Sequence, residues 1–112
     1  IKNAGNKLLQ LGPSVVIIKQ GGLGSTMFHK EFTFYTPAYQ VSKISDPTGA
    51  GDSFAGGFLG YISRKDSNYS EDVLKKALKT GSILGSFAVE SFSVSKLSKI
   101  NLDEINFRLK NL

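Results

Sequence analysis

The apolar run Val15-Val16-Ile17-Ile18 constrains the fold of this chain more than any other feature of its sequence. Consecutive β-branched apolar residues place hydrophobic groups on both faces of a strand, a pattern typical of a parallel sheet with both faces covered. Such a strand needs neighbours, and parallel neighbours need crossover connections. The sequence has no second run of this kind and does not begin with methionine. We therefore expect residues 1–112 to be the C-terminal portion of a larger α/β domain, with the rest of the sheet upstream.

Glycines and alternating residues predict a β-hairpin after this strand. Gly21, Gly22 and Gly24 interrupt the chain, and residues 25–29 and 32–35 then alternate or are aromatic. This pattern predicts two strands that turn near Lys30 and Glu31. A further short strand is predicted over residues 41–45.

Helical spacing and capping residues predict the remaining elements. Residues 1–11 form a predicted helix that stops at Gly12. Residues 50–64 carry apolar side chains at helical spacing. A helix capped by Asn68 or Ser70 is predicted to reach about Val89. A last helix, capped by Asn101, is predicted to end near Lys110.

The composition excludes several classes of site and protein. The absence of cysteine excludes disulfides and thiolate metal sites, and it favours a reducing, cytoplasmic compartment. His29 is the single histidine, so no histidine-based triad or multi-histidine metal site is available. No apolar run reaches the roughly 18 residues of a membrane helix. The net charge of +5 suits an anionic ligand, but the basic residues are dispersed, so we expect neither a nucleic-acid nor a membrane partner.

The stretch SDPTGAGDSF, residues 45–54, predicts an anion-binding turn. Its residues Gly49, Ala50 and Gly51 lead into a helix, whose first backbone N–H groups lack internal partners. These groups lie at the positive end of the helix dipole, and glycine allows a ligand to approach the backbone closely. Together they form a site suited to a phosphate.

Asp52 follows this turn at once, and two interpretations of its role are open. It can complement the helix dipole, which contributes about 0.3–1 kcal/mol. It can also act as a general base that takes a proton from a substrate hydroxyl beside the bound phosphate. The sequence alone leaves both readings open.

The helix after the turn contains Gly56, Gly57 and Gly60. Each glycine costs roughly 1 kcal/mol relative to alanine in a helix interior. We expect close packing by a neighbouring element to account for them, rather than direct contact with a ligand.

Other phosphate-binding motifs are absent from the sequence, which contains neither a Walker A string nor a dinucleotide fingerprint.

The stretch DPTGAGDSFAGGFL, residues 46–59, resembles the second signature of the PfkB (ribokinase-like) carbohydrate kinases. KQGGLG, residues 19–24, resembles the strand-end nucleotide loop of that family, and GSILGSFAVESFS, residues 81–93, resembles the helix that closes over the adenine. The resemblance covers nearly the whole chain but only the C-terminal part of a family member. It implies an α/β ribokinase-like fold, here part of a mostly parallel central sheet with a β-hairpin, followed by packed helices.

The resemblance also implies site residues. Asp52 would be the catalytic base, and Gly49, Ala50 and Gly51 the anion hole. The implied nucleotide-binding residues are Lys19, Gly21, Gly22, Gly24 and Ser82. The implied monovalent-cation site comprises Asp46, Thr48, Ala88, Ser91 and Ser93; for Ala88 alone, core packing is the favoured reading.

The implied activity is ATP-dependent phosphorylation of a sugar, sugar-phosphate or nucleoside hydroxyl, with Mg²⁺ and, as a further candidate, K⁺. The sugar-binding residues and a homodimer contact would belong to the N-terminal half. The family's Asn-x-x-Glu element normally precedes the catalytic aspartate, whereas Asn68-x-x-Glu71 and Asn101-x-x-Glu104 follow it and are interpreted as helix caps. The alternatives are a noncatalytic nucleotide-binding module and a basic nucleic-acid-binding domain.

Overall fold

The computed structural model describes residues 1–41, 50–65, 69–90 and 102–112. In the described ranges, helix α1 and a three-stranded sheet come first, and three helices follow. The elements in chain order are α1 (Lys2–Gln10), β1 (Val15–Lys19), β2 (Ser25–His29), β3 (Thr33–Thr36), α2 (Ala50–Arg64), α3 (Glu71–Val89) and α4 (Leu102–Lys110). The predicted helices, the first strand and the hairpin are therefore confirmed. The strand predicted over residues 41–45 and the caps Asn68 and Asn101 fall outside the described residues, apart from Val41, which belongs to no strand.

The sheet has the order β1-β2-β3, and both pairs of strands are antiparallel. The parallel neighbours of Val15–Ile18 are expected upstream of this chain and stay a prediction; within the described residues, β2 pairs with β1 antiparallel. The physical reason is the short connection at residues 20–24, where a single 3-10 turn reverses the chain and Gln20 N donates to Gly24 O at 2.8 Å. A parallel neighbour would need a much longer crossover.

Packing against the sheet comes from α1 on one side and from the long helices on the other. In α1, Gly5 is the buried residue and lies directly against the ring of Phe28 in β2. Met27, the next residue along β2, belongs to the core formed with α2 and α3. The strand β1 is half-buried along its apolar run. One sheet therefore carries hydrophobic contacts on both faces, as the apolar run predicts.

The main core lies between α2 and α3, the two longest helices described. α3 begins at the Ser70 cap, whose Oγ accepts from Val73 N at 3.4 Å. The buried core residues are Met27, Phe54, Ile62, Leu74, Ala77 and Leu78. Within the described helices, none has the length and hydropathy needed to cross a bilayer.

The three glycines in the interior of α2 divide into one packed position and two open ones. A Cβ at Gly57 would lie 3.1 Å from Gly81 Cα and 3.2 Å from Thr80 O, both backbone atoms of α3. At Gly56 and Gly60, an added Cβ would meet nothing within 4 Å among the described residues. The prediction of close helix packing is thus confirmed at Gly57, while the described residues supply no contact at Gly56 or Gly60.

We predict opposite stability effects for alanine at these positions. Gly57→Ala should lower the free energy of unfolding by about 1–3 kcal/mol, because the α3 backbone would have to move away. Gly60→Ala serves as the matched control and should raise it by up to about 1 kcal/mol, because alanine is the better helix former. Urea denaturation of both variants measures the difference. Equal effects at the two positions would contradict the packing described here.

Candidate functional site

A cavity of about 360 Å³ opens between the end of β1, the segment at residues 37–41 and the helices α2 and α3. Lys19 provides its charged group, and glycines form much of its wall. No carboxylate lines it among the residues that the structure describes. The full lining comprises Lys19, Gly21, Gly22, Gly24, Ser25, Ala38, Tyr39, Gln40, Val41, Ala50, Gly51, Phe54, Ser82, Gly85 and Ser86. The arrangement favours an anionic ligand.

Lys19 and the first turn of α2 meet at one point of this wall. The Nζ atom of Lys19 would lie 2.9 Å from a Cβ built on Gly51. The same Nζ lies 5.1 Å from the centroid of the Phe54 ring, within the range of a cation–π contact. The end of β1 thus brings an ammonium group to the helix terminus, whose free N–H groups also attract anions. Two sources of positive potential therefore act on the same space.

The glycine loop after β1 shapes the opposite side of the cavity. Gly21 has φ of 57° and Gly24 has φ of 95°, both in the region that favours glycine. Gly24 is also packed directly against the carbonyl of Thr36 in β3, and this contact holds the loop against the sheet. The Tyr35 hydroxyl donates to Leu23 O at 2.7 Å and fastens the middle of the loop. A Cβ built on Gly22 would meet nothing within 4 Å in the described part of the chain, so the backbone of this residue is open to a ligand.

α3 approaches the beginning of α2 closely through two more glycines. A Cβ at Gly81 would lie 2.7 Å from Phe54 O, and a Cβ at Gly85 would lie 3.4 Å from Ala50 O. These glycines flank Ser82, which lines the cavity from α3. The helix therefore supports the first turns of α2 from behind and contributes polar groups to the cavity.

The structure gathers most of the described site residues that the sequence predicts. Those lining the cavity are Lys19, Gly21, Gly22, Gly24, Ala50, Gly51 and Ser82. Of the predicted cation site, Ala88 is described, and its side chain is buried in the core. Predicted residues outside the described part of the chain are Asp46, Thr48, Gly49, Ser91 and Ser93.

Asp52 lies in the first turn of α2, next to the cavity but not in its lining. Its side chain is exposed, and its carboxylate has no hydrogen-bond or ion-pair partner among the described residues. A step of one residue along a helix turns the side chain by about 100°. Asp52 is thus free to face a second molecule beside the cavity.

Several residues that line the cavity were not predicted from the sequence. Tyr39 and its neighbours in segment 37–41 carry no motif or periodicity that would assign them to a cavity. Gly85 could have been identified, because Gly81 and Gly85 are spaced one helical turn apart, which indicates a close approach on that face of α3. Ser86 lies just beyond this pair.

Comparisons with known proteins identify the family of this chain. The sequence profile of the pfkB family carbohydrate kinases matches residues 1–100. This chain belongs to the pfkB family of carbohydrate kinases. It is 35% identical to the nucleoside kinase of Methanocaldococcus jannaschii over 68% of this chain and 23% of that protein. It is also 35% identical to the aminoimidazole riboside kinase of Salmonella typhimurium, over 73% of this chain and 25% of that protein.

A solved structure of a family member has the same fold. It is the aminoimidazole riboside kinase from Salmonella enterica, complexed with aminoimidazole riboside and an ATP analogue. The TM-score is 0.81 at 30% sequence identity, over 96% of this chain and 35% of that one. The pfkB chain described here is thus an α/β chain of ribokinase-like fold and spans about a quarter of the length of the curated relatives it matches.

Gly51 provides a direct test of the cavity as a phosphate site. We expect Gly51→Val to lower the affinity for ATP at least about tenfold, because the added side chain occupies the space between Lys19 and the helix terminus. The control is Gly56→Val, which places the same residue in the same helix where the described structure is open. Isothermal titration calorimetry with ATP measures both. An unchanged affinity in folded Gly51→Val would show that this turn is structural only.

Proposed function

We propose that this chain supplies the ATP-binding site and the catalytic base of a kinase that phosphorylates a hydroxyl group of a sugar, sugar phosphate or nucleoside. The observation that carries the proposal is the convergence of Lys19 and the N-terminus of α2 on one cavity without lining carboxylates in the described chain. A triphosphate needs such concentrated positive potential, and the glycine-rich walls allow its oxygens to reach backbone N–H groups. The printed activities of the relatives, a nucleoside kinase and an aminoimidazole riboside kinase, support the same reaction class.

In the proposed reaction, the acceptor hydroxyl oxygen forms a bond to the γ-phosphorus, and the bond from that phosphorus to the β–γ bridging oxygen breaks. ADP leaves with the electron pair of the broken bond. Asp52 accepts the proton of the hydroxyl, which requires the acceptor to lie on the exposed side of the first turn of α2. The N–H groups of Ala50 and Gly51, together with Lys19, stabilise the charge on the transferring phosphoryl group. Gly49 is proposed to share this role.

The adjacent loops complete the nucleotide site in this proposal. Gly21, Gly22 and Gly24 let the nucleotide approach the end of β1 closely, and Ser82 offers a hydroxyl from α3. The described residues contain no cluster of three or more metal-ligating side chains. Mg²⁺ typically binds through substrate phosphates and one or two carboxylates, so the donor set near Asp52 fits a metal carried largely by ATP. Bound Mg²⁺ would neutralise part of the phosphate charge during transfer.

A monovalent cation such as K⁺ is also proposed. Its candidate residues Asp46, Thr48, Ser91 and Ser93 lie outside the described part of the chain, and the Ala88 side chain packs in the core. Such a cation would be held by backbone oxygens, which a buried alanine can still supply. The proposal therefore rests on the resemblance of the sequence alone.

The acceptor-binding groups are proposed to lie outside residues 1–112, since the chain spans about a quarter of the relatives' length. A homodimer contact is proposed to involve that additional polypeptide as well. We also propose action in the cytoplasm, in keeping with the absence of cysteine.

The position of Asp52 outside the lining favours one alternative, a noncatalytic nucleotide-binding module in which Asp52 only complements the helix dipole.

The two functions differ in what Asp52 contributes. In the complete gene product, Asp52→Asn should reduce turnover at least about 10²-fold while ATP still binds, because the amide cannot accept the proton. Asp72→Asn is the matched control, since Asp72 occupies the first turn of α3 and is also exposed. Steady-state phosphorylation assays and ATP titrations separate turnover from binding. If Asp52→Asn retained turnover within a few-fold of the parent, the role of Asp52 as the base would be disproved.

Residues 1–112 by themselves should bind ATP weakly and phosphorylate no sugar or nucleoside. Positioning of the acceptor accounts for roughly 7–11 kcal/mol of such a barrier, and the groups that bind the acceptor are proposed to lie outside residues 1–112. Coupled assays of ADP release with ribose, fructose, 2-keto-3-deoxygluconate and adenosine measure this, with sedimentation to report self-association. A monomeric chain that phosphorylates any of these acceptors would contradict the proposed division of the domain.

A further inference from the structure

The side chain of Arg108 in α4 links the last helix to two walls of the cavity. Its Nη1 donates to Ser86 Oγ at 2.8 Å, and its Nη2 donates to the Glu90 carboxylate. The guanidinium carbon lies 3.7 Å from the ring centroid of Phe87 and 4.7 Å from that of Tyr39. Of these partners, Ser86 and Tyr39 line the cavity.

This arrangement holds the guanidinium in one geometry. The side chains of Arg108 and Glu90 are only 13% and 21% exposed, so the pair is largely shielded from water. A planar guanidinium can donate along its edge and stack on aromatic rings at the same time, which a lysine ammonium cannot do. The contacts therefore depend on the shape of arginine as well as on its charge.

The hydrogen bonds of Ser86 have a defined direction. Its hydroxyl donates to Ile83 O at 2.5 Å, so its single proton is already used. The oxygen must then accept from Arg108, which has no acceptor group of its own. Arg108 thereby fixes the orientation of a hydroxyl in the cavity wall.

In the described part of the chain, few hydrogen bonds involve segment 37–41, which carries Tyr39. It has no regular secondary structure, and its side-chain hydrogen bond from Gln40 Nε2 to Ala38 O is internal. Within the described ranges, no backbone hydrogen bond ties this segment to another element. The contact of Tyr39 with the guanidinium of Arg108 ties this wall to α4.

We propose that Arg108 is a positioning residue for the nucleotide, acting from α4 through Tyr39 and Ser86. The proposal rests on the nucleotide site of the proposed function. It assigns to the C-terminal helix a role in ATP affinity, although Arg108 itself does not line the cavity. The helix would thus act on binding of the phosphoryl donor and not on binding of the acceptor.

A double-mutant cycle in the complete gene product tests this. Arg108→Met and Tyr39→Leu should each raise the Kd for ADP about 3- to 30-fold, the range found for residues that act on a site indirectly. The double variant should be no weaker than the weaker single variant, because both changes remove the same restraint. The KM for the acceptor should stay within about twofold, so the change is confined to the nucleotide. Arg108→Lys should not restore affinity, since it lacks the planar fork.

Two controls separate positioning from general stability. Leu109→Ala removes packing from the same helix at a half-buried position and should lower the melting temperature without changing the Kd for ADP. Arg64→Met removes an exposed arginine from the end of α2 and should change neither quantity. If Arg108→Met does not fold, Arg108→Lys replaces it in the cycle, because it keeps a charge opposite Glu90.

The outcomes distinguish this proposal from the proposed function. A parent protein that binds no nucleotide would overturn both. A parent that binds ADP, with unchanged affinity in the folded Arg108 variant, would overturn the positioning role alone. Additive effects of the Arg108 and Tyr39 substitutions, or an equal loss of affinity in Leu109→Ala, would also overturn it.

Discussion

The close approach of α2 and α3 through glycine determines the geometry of the site. A Cβ built on Gly57 would lie 3.1 Å from Gly81 Cα. A Cβ built on Gly81 would lie 2.7 Å from Phe54 O, and one built on Gly85 would lie 3.4 Å from Ala50 O. These contacts run along the helix interface to the first residues of α2. Larger side chains would separate the helices and move the free N–H groups away from Lys19. Here glycine is used for close backbone approach, and the loss of intrinsic helix stability is offset by packing.

The same packing explains why positive potential is concentrated in one cavity. The end of β1 carries Lys19 to the helix terminus, and the 3-10 turn that follows reverses the chain so that its glycines line the opposite wall. The ammonium group also lies near the Phe54 ring, which belongs to the core between the helices. Core packing and ligand binding therefore share residues. A core substitution near Phe54 would therefore change the shape of the cavity as well as the free energy of unfolding.

Much of this arrangement could be predicted from the sequence because its signals are local. The apolar run at Val15–Ile18 and the spacing of apolar residues after Ala50 each specify an element within a short window. Strand pairing is less local, and the antiparallel partner of β1 followed from the length of a connection rather than from the apolar run. The roles of Tyr39 and Arg108 depend on contacts between distant parts of the chain, so no single stretch of sequence revealed them. The assignment of Asp52 as a base remains a prediction, because its exposed position fits a dipole role too.

The central claim is that phosphate groups bind where Lys19 meets the first turn of α2. It is tested most directly by amide NMR spectra of the isotope-labelled protein, titrated separately with ADP and with adenosine. We predict that ADP shifts the amide signal of Gly51 strongly and that adenosine, which lacks phosphates, leaves this signal in place. A Gly51 amide that does not respond to ADP, or that responds equally to adenosine, would contradict the account.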